Sequence, residues 1–379
     1  MLKRIYRLLI LCICIVRYAL KGRANKKITN PKIFLIVPSG KLGDVVCTTP
    51  IYYAIKKKYP SANVFVYGNR LNKEILENTG LFDYYIIREN FFADIVKIKK
   101  KKIDFACITG SGFLDLAMLY LSGIPLISAP IINKKKYIQE TKPYKILTNC
   151  VVQTKFTPGQ YMPRQYLYLL EPINIYSDDT NKHLGFTDAA SQKLQQFYQD
   201  NGIDIKKDFV VGITPSAGNK IKLWGAKKFA KLADYIFEKY KAKIIIFGNK
   251  NDKYETEEMI KHLNKKTFFI NSTGMFNIDE LKAAISMINI FISVDTGPIY
   301  IAESFNIPTI DIVGPVDEND QPPIGKFHKI VKSELRKKPA MNALNARNYE
   351  YSEARHQVND ISIDMVIAKV NELISLLKI

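Results

Sequence analysis

Short apolar runs alternate with longer amphipathic stretches along the chain from Lys32 onward. The short runs have the length and composition of buried strands, whereas the amphipathic stretches carry apolar residues at helical spacing. This alternation predicts α/β units arranged around a parallel sheet. In the first half, strands are predicted at residues 33–38, 63–67, 84–87 and 105–109, and helices at 45–59, 72–78 and 113–121.

The same alternation returns in the second half of the chain. Strands are predicted at residues 209–214, 243–248, 290–294 and 309–313, and helices at 226–240, 254–263, 279–287 and 299–305. Between the halves, over residues 131–176, the periodicity weakens while prolines and basic residues collect, which predicts a loop and linker. We therefore expect two tandem α/β domains, at residues 32–176 and 208–355.

The end of the chain has apolar side chains on one helical face. They are Ile363, Val366, Val370, Leu373 and Leu377. Because such a stripe is normally buried, residues 361–379 are expected to form a helix that docks on a core.

Composition indicates a folded protein with a bias toward phosphate-bearing partners. The 379 residues are 47% hydrophobic and 24% charged, which excludes wholesale disorder and low-complexity scaffolds. The 56 Lys and Arg residues against 36 Asp and Glu give a formal net charge of +20, which favours phosphates of nucleic acid, lipid or nucleotide. The five cysteines have neither metal-site nor disulfide-framework spacing, which fits a reducing cytoplasm.

The first 27 residues carry eight basic side chains and no acidic one, around an apolar run of nine residues from Leu8 to Val16. That run is too short for a bilayer span, which needs about 20 residues. On a helical wheel one stripe is basic and consists of Lys3, Arg7, Arg17 and Lys21. We interpret residues 1–27 as a basic amphipathic segment that lies in a membrane interface, with a signal sequence or a helix packed on the protein itself as alternatives.

A glycine-containing turn, Ser39-Gly40-Lys41-Leu42-Gly43-Asp44-Val45, follows the first predicted strand. Its two glycines allow a tight turn and the close approach of a ligand. The carboxylate of Asp44 is expected at the carboxyl edge of the sheet, where ligands bind in α/β proteins. Capping of the next helix is an equally ordinary role for such an Asp.

The corresponding corner of the second half, residues 212–224, combines small residues such as Ser216 with cations such as Lys222. Exposed amides and ammonium groups share the charge of a diphosphate, so this corner suits a phosphate-bearing ligand. An ordinary turn with solvated lysines is the alternative interpretation.

A third corner, residues 293–300, ends a strand and opens a helix. Asp295, Thr296 and Gly297 lie at the positive end of that helix, where N–H groups are available to an anion. Three corners of similar composition are expected to outline a cleft between the two α/β domains.

Several common site motifs are absent from the sequence. It contains no Walker A sequence and no Asp-x-Asp motif, and its four histidines share no metal-ligand spacing. Gly110-Ser111-Gly112 opens like a dinucleotide fingerprint, but Asp115 replaces the third glycine. A dehydrogenase is therefore disfavoured.

Taken together, the motifs resemble glycosyltransferase family 9, the heptosyltransferases of lipopolysaccharide core assembly. The resemblance rests on residues 43–50, on Lys222-Leu223-Trp224, and on Asp295-Thr296-Gly297-Pro298 followed by residues 314–317. It implies the α/β GT-B fold, with two Rossmann-like domains and a C-terminal helix that returns to the N-terminal domain.

The resemblance also implies roles for individual residues. Asp44 falls on the catalytic base of the family, and Tyr300 stands where family members usually carry His, which is expected to alter one donor contact. Candidate donor-binding residues are Ser216, Lys222, Asp295, Thr296, Gly297, Tyr300 and Asp252, with Glu255 as the alternative to Asp252. Candidate acceptor-binding residues are Lys41, Gly43, Lys134, Lys135, Lys136 and Arg164.

The implied activity is inverting, metal-independent transfer of heptose from ADP-L-glycero-D-manno-heptose. The implied acceptor is a lipid-linked lipopolysaccharide core oligosaccharide at the cytoplasmic face of the inner membrane, and no cofactor is expected beyond the sugar nucleotide. Another sugar nucleotide, such as an N-acetylhexosamine donor, is the alternative within the family. A non-catalytic basic polyanion-binding protein would also explain the charge, but the sequence has no nucleic-acid-binding pattern, so nucleic acid is not an expected partner.

Overall fold

The computed structural model describes residues 2–132, 140–345 and 349–378. The chain divides into two compact units, Met1–His183 and Leu184–Ile379. Each unit is built on one parallel sheet.

Six parallel strands form the sheet of the first unit, in the order β3-β2-β1-β4-β5-β6. This is the order of a Rossmann fold, and it reverses direction between β1 and β4. The strands are β1 Ile33–Val37, β2 Asn63–Gly68, β3 Tyr84–Ile87, β4 Phe105–Ile108, β5 Leu126–Ile132 and β6 Val152–Phe156. The helices are α1 Leu2–Lys21, α2 Leu42–Val46, α3 Thr49–Lys58, α4 Arg70–Leu76, α5 Phe91–Lys100, α6 Phe113–Leu121, α7 Lys142–Thr148 and α8 Met162–Tyr168.

The second unit repeats this topology, with sheet order β12-β11-β10-β7-β8-β9 and a reversal between β7 and β10. The strands are β7 Val210–Thr214, β8 Lys243–Ile246, β9 Phe269–Asn271, β10 Ile290–Val294, β11 Thr309–Ile312 and β12 His328–Val331. The helices are α9 Asp188–Asp200, α10 Ala226–Tyr240, α11 Lys253–Lys261, α12 Ile278–Ser286, α13 Gly297–Ser304, α14 Tyr351–Asn359 and α15 Ile363–Leu377.

All eight predicted strands are present, because central strands of a parallel sheet are buried on both faces and read as continuous apolar runs. β4, β7 and β10 are buried along their whole length. The strands that the sequence analysis missed are β5, β6, β9 and β12. Each of these four includes a polar or half-buried position, which interrupts the apolar run.

The prediction of one helix over residues 45–59 is wrong, because the structure divides this stretch into α2 and α3. The hydroxyl groups of Thr48 and Thr49 donate to the carbonyls of Val45 and Val46 at 2.7 and 2.8 Å. Pro50 then occupies the first turn of α3, where its missing N–H is not needed. The break leaves Asp44 on a helix of only five residues.

The prediction of a loop over residues 131–176 is also wrong. The structure places β5, α7, β6 and α8 in or across this stretch, and β6 forms the edge of the sheet by pairing in parallel with β5. Two of the four prolines in this stretch, Pro143 and Pro163, stand in the first turns of α7 and α8, positions that proline favours.

The C-terminal helix is formed as predicted, but its expected return to the N-terminal domain is corrected by the structure. α15 packs on β11, β12 and α10 of the second unit. Its apolar stripe, including Val366, Val370 and Leu373, belongs to the core of that unit. The stripe itself reports burial but not the partner, which is why the sequence alone could not decide between the two domains.

Helix α1 packs on α6 and α7 of the first unit through a narrow strip. Ile10, Leu11 and Cys14 on this strip are buried in the core of the unit. No helix in the described part of the chain combines the length and the apolar composition that crossing a membrane requires.

Candidate active site

Asp44 lies where the first sheet reverses direction. The turn that carries it follows β1, whose last residue, Val37, pairs with Ile108 at the end of β4. In α/β proteins the carboxyl ends of the two strands at such a reversal form the usual ligand site. The Asp44 carboxylate accepts a hydrogen bond from the N–H of Lys41 at 2.8 Å. The capping role considered for Asp44 is therefore present, in a location that also suits chemistry.

Gly40 is required by the close packing of this turn. Its φ is +105°, a conformation that side chains disfavour, and a Cβ atom at this position would overlap the Asp44 carboxylate. The N–H of Ser39 donates to Thr109 Oγ1 at 2.9 Å, which ties the turn to the end of β4. A Cβ on Gly110 would come within 2.6 Å of the Ser39 Cβ. Gly40 thus packs directly against Asp44, and Gly110 packs against Ser39 of the same turn.

An ion pair at the same sheet edge was not predicted. Arg88 directly follows β3 and pairs with Asp115 of α6 at 2.6 Å. The guanidinium of Arg88 also lies 5.2 Å from the centre of the Tyr67 ring. Burial raises the pKa of Asp115, an effect that Arg88 opposes. The only signal in the sequence was Asp115 itself, in place of the third glycine of a fingerprint.

The candidate acceptor residues are only partly brought together. Lys41 is exposed beside Asp44, and Gly43 is buried within α2. Arg164 is on α8, where it approaches Asp178 at 3.8 Å and remains half exposed. Lys134, Lys135 and Lys136 lie outside the described residues.

Lys222 and Asp295 meet where the second sheet reverses direction. They follow β7 and β10, whose ends pair through Thr214 and Ser293. The Lys222 ammonium forms an ion pair with the Asp295 carboxylate, and it also donates to the Asp295 backbone carbonyl at 3.1 Å. The exposed fractions of the two side chains are 19% and 5%. The sequence analysis assigned these two residues to separate corners, and the structure brings their side chains into contact.

Tyr300 completes this contact from α13. Its hydroxyl donates a hydrogen bond to Oδ1 of Asp295, while Lys222 binds Oδ2. Each oxygen of the buried carboxylate therefore has a donor, as a buried charge requires. Tyr300, which stands where the family usually has His, thus has a polar contact with Asp295.

The backbone around Lys222 and Asp295 offers further hydrogen-bond donors. Thr296 is the N-cap of α13 with extended backbone, and Gly297 is its first helical residue. The first N–H groups of a helix have no partner within the helix, and the helix dipole favours an anion there. Ser216 is buried in the turn after β7, and the side chain of Asn219 caps the 3₁₀ helix Lys220–Lys222 at the Ile221 N–H, 3.3 Å away.

Asp252 and Glu255 have different contacts. The Asp252 carboxylate accepts the N–H of Asn249 at 2.9 Å and so closes the turn after β8. Glu255 forms an ion pair with Lys220 at 2.5 Å. The structure thus brings Glu255, rather than Asp252, into contact with the turn that bears Lys222.

Residues near the end of the chain hold this turn in place, which sequence reasoning missed. The Arg355 guanidinium donates to the carbonyls of Ile221 and Leu223 at 3.4 and 3.0 Å. The indole N–H of Trp224 donates to the Ile361 carbonyl at 2.8 Å, and the indole itself is buried. Trp224 therefore anchors the turn through its hydrogen bond to Ile361. Lys222 is the residue of the turn whose ammonium group contacts Asp295.

Asp311 is a buried carboxyl beneath this corner. It is on β11, directly opposite Ser293 of β10, and neither of its side-chain oxygens has a hydrogen-bond partner among the described residues. Burial, reinforced by the negative charges of Asp295 and Glu303 and opposed by Lys222, raises the pKa of Asp311 well above its ordinary value of 3.8. Burial thus favours the neutral form of Asp311 over the ionised form.

We expect Asp311→Asn to stabilise the protein relative to wild type as pH rises. A carboxyl whose folded pKa is raised has its full stability below the unfolded pKa, near 3.8, and loses stability as pH rises from there toward the folded pKa. The amide has no proton to lose, so the difference in free energy of unfolding between variant and wild type should grow above about pH 4. Chemical denaturation at several pH values measures this. Asp364→Asn, on the exposed first turn of α15, controls for loss of an acid, and a pH-independent difference for Asp311→Asn would contradict the assignment.

Within residues 2–132, 140–345 and 349–378, no group of three or more His, Cys, Asp or Glu side chains is arranged to hold a metal ion. The ion pairs described above join Arg88 to Asp115 in the first unit and Lys222 to Asp295 in the second.

Comparison with known proteins identifies the family. Residues 127–349 match the model described as "Glycosyltransferase family 9 (heptosyltransferase)". A curated relative, lipooligosaccharide heptosyltransferase 2 of Haemophilus influenzae, is 27% identical over 366 residues, which cover 90% of this chain and 99% of the relative.

Solved structures show the same fold. A glycosyl transferase of family 9 from Veillonella parvula superposes with a TM-score of 0.73 at 18% identity, covering 92% of this chain and 99% of the other. The ADP-heptose lps heptosyltransferase II of E. coli superposes with a TM-score of 0.71 at 16% identity, covering 91% and 99%. These likenesses confirm the predicted α/β fold with two Rossmann-like domains. The family model spans more than half of the chain, and the chain therefore belongs to glycosyltransferase family 9 and is a sugar-transferring enzyme.

Proposed function

We propose that this enzyme transfers heptose from ADP-heptose to a lipopolysaccharide core acceptor at the cytoplasmic face of the inner membrane, with inversion at the anomeric carbon. The proposal takes its donor and acceptor from relatives, one of them named as an ADP-heptose lps heptosyltransferase and another as a lipooligosaccharide heptosyltransferase. Its chemistry is argued from the residues of this chain.

The observation that carries the proposal is the corner of Lys222, Asp295 and Tyr300 beside the first turn of α13. Transfer from a sugar nucleotide builds negative charge on the departing diphosphate. The Lys222 ammonium, exchanging its contact with Asp295 for the diphosphate, and the N–H groups of Thr296 and Gly297 would share that charge. In this proposal these groups stabilise the charge of the departing diphosphate, which a metal ion stabilises in other glycosyltransferases.

Asp44 acts as the general base. Its carboxylate takes the proton of the acceptor hydroxyl while that oxygen forms a bond to the anomeric carbon. The bond from that carbon to the diphosphate oxygen breaks on the opposite face, and ADP leaves with the electron pair. A single displacement of this kind inverts the anomeric configuration.

The acceptor is anionic and lipid-linked in this proposal, which suits the charge of the chain. Lys41 is exposed next to Asp44, and Arg164 is half exposed on α8. The net charge of +20 would draw the enzyme toward phosphorylated glycolipid. Lys134, Lys135 and Lys136 keep their proposed acceptor role by sequence alone.

The tyrosine at position 300 supports a second candidate sugar donor. Because it replaces the histidine that is usual in the family, the contact to the donor differs in size and in hydrogen-bonding groups. A family 9 enzyme that uses an N-acetylhexosamine nucleotide is therefore the competing function.

A transfer assay with the full chain decides between these donors. Purified protein is incubated with lipopolysaccharide core precursor and either ADP-heptose or a UDP-N-acetylhexosamine, with and without EDTA. We expect ADP-heptose alone to support transfer, undiminished by EDTA, and NMR to show a product linkage opposite in anomeric configuration to the donor. Transfer from the UDP-sugar only would establish the competing donor. Retention of configuration, or loss of activity in EDTA that an added divalent cation restores, would contradict the mechanism.

A further inference from the structure

The outward side of α1 is an apolar surface. Among the side chains of α1 that the structure describes, seven large aliphatic ones are exposed: Ile5, Leu8, Leu9, Ile13, Ile15, Val16 and Leu20. Leu9 and Val16 stand near the centre of this face, seven residues or about two helical turns apart, and each exposes 59% of its surface. Large contiguous apolar patches are uncommon on soluble proteins and mark interaction sites.

The opposite side of α1 fixes its orientation. Ile10, Leu11 and Cys14 are buried against α6 and α7. The Arg17 guanidinium lies 5.5 Å from the centre of the Tyr120 ring, and the Tyr120 hydroxyl donates to the Gly22 carbonyl at 2.7 Å. Arg17, one member of the basic stripe seen on the helical wheel, thus lies toward the protein. The exposed aliphatic residues of α1, by contrast, remain on its outward side.

Charge indicates what covers this surface. Residues 1–27 have eight basic side chains and no acidic one. Arg4 and Arg7 are exposed toward one end of α1, and Lys21 and Arg23 at the other. An anionic bilayer satisfies both features, because aliphatic side chains enter the acyl boundary while cations stay among the headgroups. A second copy would bring cations against cations, which disfavours self-association through this face.

We propose that the outward face of α1, defined by the seven exposed aliphatic residues above, binds the interface of an anionic phospholipid bilayer, with the helix lying parallel to the membrane plane. The face deepens the proposed function, on which it rests for its purpose, because it would hold the enzyme at the surface where a lipid-linked acceptor resides. Tyr6 and Tyr18 are exposed beside the face and suit the headgroup level, where aromatic rings with a polar end are favoured.

Substitutions on the outward face test the proposal in the full chain. Because part of α1 belongs to the core, point changes are preferable to deletion of the helix. Leu9→Asp combined with Val16→Asp should lower co-sedimentation with phosphatidylglycerol vesicles by about 100-fold or more, since two apolar side chains can no longer enter the bilayer. Tyr176→Asp combined with Leu335→Asp is the matched control, because these residues are even more exposed and are not part of α1. The control should bind vesicles like wild type.

A variant that lacks two basic side chains separates the electrostatic contribution to membrane binding from the apolar one. Lys21→Gln combined with Arg23→Gln should weaken binding to phosphatidylglycerol vesicles by about tenfold or more, and wild type should bind phosphatidylcholine vesicles far less than phosphatidylglycerol vesicles. Circular dichroism confirms that each variant is folded. Unchanged vesicle binding by the folded Leu9→Asp, Val16→Asp variant would overturn the proposal. The proposal would also be overturned if wild type formed a dimer without lipid and the Leu9→Asp, Val16→Asp variant were monomeric. The outward face of α1 would then bind a second copy of the chain.

Vesicle binding is measured without sugar transfer, so the two proposals fail separately. Wild type that binds vesicles through α1 but transfers no heptose would overturn the proposed function and leave the surface assignment intact. Wild type that transfers heptose to a soluble core fragment but does not bind anionic vesicles would overturn the surface assignment and leave the proposed function intact.

Discussion

Asp44→Asn should lower the rate of sugar transfer by about 10²-fold or more while nucleotide affinity and thermal stability stay close to wild type. The loss has the size of a general-base contribution, because the amide cannot accept the acceptor proton. The fold should survive, since an Asn side chain can still accept the Lys41 N–H and still fits against Gly40. Single-turnover transfer and calorimetric titration with ADP measure the two effects.

Asp188→Asn provides the matched control for Asp44. It removes an exposed acid from the first turn of α9, so it reproduces the change at a helix start without touching the proposed base. Its transfer rate should equal that of wild type. If Asp44→Asn is folded and turns over near the wild-type rate, Asp44 is only a cap and the base must be another group.

Lys222→Met should weaken ADP binding about tenfold or more and slow transfer by roughly 10²-fold or more. The first effect follows from loss of a charge-assisted contact with the diphosphate. The second follows because the same charge stabilises the leaving group as the bond breaks. Isothermal titration with ADP and transfer kinetics at saturating donor separate binding from chemistry.

Two companion variants sharpen the test at Lys222. Lys227→Met removes a lysine from the exposed start of α10 and should leave both measurements unchanged. Lys222→Met combined with Asp295→Asn removes the carboxylate that would otherwise lose its partner, so any instability caused by a buried unpaired charge should be relieved while weak ADP binding persists. Normal ADP affinity in folded Lys222→Met would show that the ion pair with Asp295 is structural.

The sequence was sufficient to predict eight of the twelve described strands and the turns that follow three of them, for a shared physical reason. Buried parallel strands are continuous apolar runs, and the polar residues that interrupt the pattern directly after them fall at the carboxyl edge. Asp44, Lys222 and Asp295 all follow strands that the hydrophobic pattern identified. Glycine and charge at those positions were visible without any knowledge of tertiary contacts.

The remaining contacts could not be predicted because they join residues distant in sequence. Arg355 reaches Leu223, and Arg88 pairs with Asp115, through geometry that no local pattern encodes. The orientation of α1 has the same origin. A helical wheel separates the basic stripe from the apolar residues, but only packing on α6 and α7 decides which of them turns outward.

The contacts that tie the Lys222 turn to the end of the chain have a consequence for biosynthesis on the ribosome. Trp224 and Lys228 donate hydrogen bonds to the carbonyl of Ile361, and Arg355 donates to that of Leu223. These partners are synthesised more than a hundred residues after the turn. The first unit is contiguous in sequence and can fold while translation continues. The corner of Lys222 and Asp295, by contrast, should mature only once α14 and α15 have left the ribosomal exit tunnel. A nascent chain that stalls before Tyr351 would therefore lack the contacts that hold the proposed donor site in place.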